Sequence, residues 1–191
     1  MTLLQAFIPG TTLPYDGDKG MFSKIRPLIR ATDGLTLSQV CSITGLEGST
    51  IQNWVKRGFV SRPEQKKYRE RQLARILLIS SLRDCMPLDR IGTLMALVNG
   101  DANDTDDDII SEEQMYDYLC AVIGRAEEKP SDDISGLVTE ITSDYTPMRG
   151  DAAEILRQAL TVMALAYIAG KYKREADLLF DIMKEKNNGD H

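Results

Sequence analysis

Apolar positions recur every three or four residues along most of this chain, the period of one helical face. In "TLSQVCSITG", Thr36 and Gln39 have the spacing of a capping box, and Gly45 stands where a left-handed C-terminal cap belongs. This predicts a helix over 37–44. In "STIQNWVKRGFV", Ser49 and Gln52 repeat the capping spacing and Gly58 ends the run, which predicts a second helix over 50–57. Val40, Leu46, Ile51, Trp54 and Val55 can share one core, with Cys41 small enough for a close helix approach. Two short capped helices joined by a three- or four-residue turn are the outline of a helix-turn-helix.

The flanking pattern is helical too. "MFSKIRPLIRATDG" places Phe22, Ile25, Leu28 and Ile29 at near-helical spacing, but Pro27 argues against one continuous helix. Residues 61–67 are polar, contain Pro63 and end at Tyr68, which reads as a short wing or hairpin. A helix then runs from about Glu70 to Arg83, with Leu73, Ile76, Leu77, Ile79 and Leu82 inward. Pro87 opens another, with Leu88, Ile91, Leu94, Met95 and Val98 inward. Further on, Ser111 and Gln114 form a third capping box ahead of "MYDYLCAVIGRA", and "DISGLVTEIT" is a weaker helix. "DAAEILRQALTVMALAYIAG" is apolar nearly all round and predicts a central buried helix. "KREADLLFDIMKEK" reads as a separate amphipathic helix that closes the chain.

Charge divides the chain. Residues 21–98 carry 13 Lys/Arg against 6 Asp/Glu, a net of +7. Residues 99–191 carry 9 against 21, a net of −12, so the overall −6 conceals a basic module joined to an acidic one. "NGDANDTDDDIISEE" reads as the solvated joint between them, because like charges repel. The expected division is an arm over 1–20, a module over 21–99, an acidic linker over 100–113 and a helical region over 114–191. Asp106 to Asp108, Glu112 and Glu113 do not fit a calcium loop and count as part of the solvated linker.

Chemistry is sparse. The sole histidine is His191, which removes most His-dependent catalysis and zinc chemistry. Cys41, Cys85 and Cys120 are far apart, in no metal-binding spacing. No nucleophile–base pair or phosphate loop stands out, so neither catalysis nor a cofactor is expected. The start lacks signal-peptide features, and "ALTVMALAYIAG" is too short for a membrane span, so the expected location is the cytoplasm, with no membrane partner.

"LTLSQVCSITGLEGSTIQNWVKRGFV" followed by "KKYRERQLARILLISSLRDCMPLDRIGTLM" resembles the DNA-binding domain of the MerR family, through Val40, Thr44, Gly45, Ile51, Trp54, Gly58, Tyr68, Leu73, Ile79, Leu82, Leu88 and Ile91. The run "IQNWVKRG…KKY…ARILLI" is closer still to the bacterial domain of unknown function 1836 family. The resemblance covers about residues 35–98. It departs from MerR proteins in a shorter wing, in Asn53 where an aromatic is common, and in the lack of a long heptad helix behind it. It implies a mostly α fold, with an N-terminal winged helix-turn-helix and a helical C-terminal region. The implied activity is sequence-specific binding of double-stranded DNA by a transcriptional regulator.

With the second helix in the major groove, Ser49, Thr50, Gln52, Asn53, Lys56 and Arg57 face the DNA. Gln and Asn suit adenine, and Lys and Arg suit guanine or phosphate. Thr36 and the wing residues Arg62, Lys66, Lys67 and Arg69 are the expected phosphate contacts, and Tyr68 either donates to a phosphate or packs beneath the wing. The acidic half would supply a homodimer contact or meet an effector or protein partner. The alternative is a protein-interaction module that uses the two helices as a scaffold.

Overall fold

The computed structural model describes residues 7–14, 21–102, 108–128 and 133–188. The outer parts of the predicted arm (1–6 and 15–20), the linker segment 103–107 and His191 lie outside them. Among the described residues the fold is mostly helical, with eight helices and one two-stranded sheet.

Helix α1 spans Met21–Ala31 as one piece, against the break expected at Pro27. Pro27 lies on the exposed side, so the carbonyl it leaves unbonded can meet water. Strand β1 (Leu35–Thr36) pairs antiparallel with β2 (Lys67–Tyr68), Leu35 opposite Tyr68 and Thr36 opposite Lys67. Between them stand α2 (Leu37–Thr44) and α3 (Gly48–Lys56). The first capping box forms as expected: Thr36 Oγ1 accepts from the Gln39 amide at 3.3 Å, and Gln39 Oε1 accepts from the Thr36 amide at 2.8 Å. Gly45 caps the end of α2 at φ 69°.

Helix α4 (Glu70–Leu82) is the hub, buried along nearly its whole length and packed against α1, α2, α5 (Leu88–Asn99), α6 (Glu112–Glu128) and α8 (Ala152–Asn188). The core is therefore one cluster from Phe22 through Met163 to Tyr167, and the basic and acidic halves share it. Phe22 meets Tyr116 edge to face at 5.7 Å, and the Tyr116 hydroxyl donates to the Pro9 carbonyl at 2.7 Å, which ties the N-terminal segment to α6. Asp133 caps α7 (Ile134–Ile141) by accepting from the Gly136 amide at 2.8 Å.

Two expectations fail here. The acidic joint is not a solvated linker throughout. Ile109 and Ile110 are buried, and Glu112 is 0% exposed inside α6. The closing pair of helices is one 37-residue helix, α8, that runs through Gly170, so the long helix expected to be lacking behind the basic module is present. By length and composition alone, α8 could cross a membrane, a test the core helix of a soluble protein also passes; part of its most apolar window is buried in this core.

Candidate nucleic-acid interface

Helix α3 starts earlier than its apparent cap. Its N-cap is Glu47, which makes no side-chain capping bond, so the second capping box does not form. Ser49 and Gln52 are thereby freed, and both side chains are exposed. With Asn53 and Lys56 they form an exposed stripe at i, i+3, i+4 and i+7, while Ile51 and Trp54 are buried beneath. Thr50 is half-buried beside the stripe.

The end of α3 is fixed by a Schellman motif. The Phe59 amide donates to the Trp54 carbonyl at 2.9 Å, and the Gly58 amide to the Val55 carbonyl at 3.1 Å. Gly58 takes φ +80°, a conformation that costs other L residues about 1–2 kcal/mol. The segment after it folds back in a two-residue turn. Gln65 and Lys66 both have positive φ, 47° and 64°, and the Lys67 amide donates to the Glu64 carbonyl at 2.7 Å. That is the geometry of a primed hairpin turn, which usually takes Asn-Gly.

The expected contacts separate into free and engaged groups. Among the described residues, Lys56, Arg62 and Lys66 are exposed and make no ion pair. Lys56, Arg62 and Arg69 line a groove of about 580 Å³ between the end of α3 and the turn segment. Arg69 pairs with Asp33 and lies 3.9 Å from Glu64. Its guanidinium holds the Asp33 carboxyl below the usual carboxylate range. Arg57 donates to Asp89 at 2.8 Å and lies over the Phe59 ring at 4.8 Å. Lys67 is half-buried and donates to the Thr32 carbonyl at 3.4 Å. The Thr36 hydroxyl is exposed but committed to Gln39. Tyr68 is 3% exposed and packs in the core, and burial pushes its phenol up. Of the two roles expected for Tyr68, this burial fits packing beneath the wing and not a phosphate contact.

Two residues that sequence reasoning missed hold this surface. The buried Gln72 accepts from the Arg69 amide at 2.6 Å and donates to the Arg62 carbonyl at 2.7 Å, which fastens both ends of the turn segment to α4. The buried Arg75 donates to the Phe59 carbonyl at 2.6 Å and pairs with Glu112, while its neighbour Arg71 pairs with Asp108 at 2.7 Å. The available signal was a Gln and an Arg inside the apolar run "RQLARILLI".

Comparison with known proteins finds similarity along this surface to proteins of undetermined role. The chain is 26% identical over 161 residues to the uncharacterized protein YkrK of Bacillus subtilis (strain 168), covering 75% of this chain and 69% of that protein. No solved structure matches it significantly. The match to the family model described as "Domain of unknown function (DUF1836)" runs over residues 32–119, from the turn after α1 into α6, and so includes both Arg75 and Glu112.

Proposed function

We propose that this protein is a sequence-specific, MerR-like DNA-binding regulator of transcription, with α2 and α3 as a helix-turn-helix and the segment 61–67 as a short wing. The observation that carries the reading is the exposed stripe Ser49, Gln52, Asn53 and Lys56 beside the unpaired cations Arg62 and Lys66. Amide side chains at successive positions on an exposed helix are suited to base edges, and free cations around them to phosphates. Both helix ends are held by backbone geometry, so the stripe is presented on a rigid element. The rival reading, a protein-interaction module, draws on the overall charge of −6 and on the internal pairing of Arg57 and Arg69.

The test is binding of the full chain to a library of double-stranded DNA at low salt, followed by selection of the preferred sequence. Enrichment of a defined motif is expected. Replacing Lys56, Arg62 and Lys66 together by alanine should lower affinity for all sequences. The absence of any salt-dependent DNA binding by the wild type would sink the reading in favour of the interaction module.

A further inference from the structure

The face of α8 that points away from the core is apolar where solvent would favour polar groups. Val162, Leu165, Ala169, Tyr172, Ala176, Leu179 and Met183 are all exposed and follow the alternating four–three spacing of a heptad seam. Tyr172 and Met183 are more than 60% exposed, as is Phe180 on the flank, and Val162, Leu165 and Leu179 are 44–51% exposed. The second half of the helix, beyond Lys171, has no large buried side chain. Single exposed apolar residues are ordinary, but a continuous stripe over three heptads is not.

We infer that this stripe is the dimer interface of the protein, and that its occupant is α8 of a second copy, running antiparallel and crossing near Arg174. Three features point to self-association. The first is steric. With the crossing at Arg174, Leu165 faces Met183, Ala169 faces Leu179 and Tyr172 faces Ala176, each twice. Antiparallel seams pack in such layers, and in two of the three a large side chain meets an alanine, so the helices can approach closely. The second is charge. One flank of the crossing gathers Lys173 and Asp177 from both chains; on the other, Lys171 is already held by Glu127 of its own chain at 2.6 Å. The Lys173 and Asp177 cluster is neutral, and the two already pair at 3.2 Å within one chain. The third is area. At about 200 Å² for a fully exposed large side chain, the stripe and Phe180 expose roughly 700 Å². That is close to the ~800 Å² per partner of a standard interface.

This inference does not depend on DNA binding, and its test contains no DNA. Sedimentation of the full chain should show a dimer at micromolar concentration. Tyr172→Glu with Leu179→Glu should weaken the dimer by at least about thirtyfold, as expected for central interface anchors, while helicity by circular dichroism is unchanged. Orientation is read by disulfide capture, with Cys41, Cys85 and Cys120 replaced by alanine. Mixed chains carrying Ala169→Cys and Leu179→Cys should cross-link to each other, whereas each alone should not. A wild type that sediments as a monomer, a dimer indifferent to the double substitution, or self-linking of each single-cysteine chain would overturn the inference. So would a monomer that instead co-sediments with phosphatidylcholine–phosphatidylglycerol vesicles.

Discussion

Arg75 has two partners, the Phe59 carbonyl and Glu112, and is almost wholly shielded from solvent. Glu112 is the exposed-looking acid of "SEE" that the fold takes inside. Burial raises its pKa above the ordinary carboxylate value, against the pull of Arg75 and Arg71. A carboxyl with a raised native pKa binds its proton more tightly folded than unfolded. Its stabilising contribution is therefore present at low pH and lost as pH rises through the native value. Glu112→Gln cannot titrate, so the wild type's advantage over it in urea midpoint should shrink as pH rises above the ordinary carboxylate range. A gap that widens with pH would mean that the ion pair with Arg75 outweighs burial. Asn53 is the opposite kind of residue, exposed and bonded to no other side chain. Under the proposed function, Asn53→Ala should cost about 1–3 kcal/mol on the selected sequence and little on random DNA. Equal losses on both would remove it from base reading.

The element most open to test is the turn at Gln65 and Lys66. Both residues take a backbone conformation that glycine adopts freely and other residues do not. Lys66→Gly relieves that strain and removes a free cation. The two readouts should move in opposite directions. Stability should rise by about 0.5–1 kcal/mol, and the slope of log affinity against log salt should fall in magnitude by about one. A loss of stability would show that the Lys66 side chain holds the turn. The hairpin shows what local sequence can and cannot carry. Its place was legible from a polar run between Val60 and Tyr68, but its turn type was not, since Gln-Lys is no primed-turn signature. The Thr36–Gln39 box was legible for the same local reason, as both partners lie within one helical turn. Ser49 and Gln52 have the same spacing and form no cap, because backbone pairing from Glu47 starts α3 two residues sooner than that spacing predicts. Arg75 and Glu112 lie 37 positions apart, beyond the reach of any periodicity. The continuity of α8 was hidden by Gly170 and the charged "KYKRE" that follows it, which read as a break between two helices.

At the scale of the molecule, the net +7 of residues 21–98 overstates what phosphate would meet. Arg26 and Arg30 are held by Glu70, Arg57 by Asp89, Arg69 by Asp33, Arg71 by Asp108 and Arg75 by Glu112. At the candidate interface, Lys56, Arg62 and Lys66 remain as exposed, unpaired cations. Each phosphate neutralised contributes about −0.9 to the salt slope, so one module carrying three such contacts should give a slope near −3. A dimer that places both modules on one DNA should give about twice that, and its two-fold symmetry should select a palindromic site. The DNA and dimer proposals therefore meet in one measurement. The wild type should show a slope between about −5 and −6, and the Tyr172→Glu/Leu179→Glu chain about −3, on the same DNA. Equal slopes in the two proteins would mean that only one module touches DNA at a time. In that case the seam on α8, whatever it joins, would not bring two reading helices to a common site.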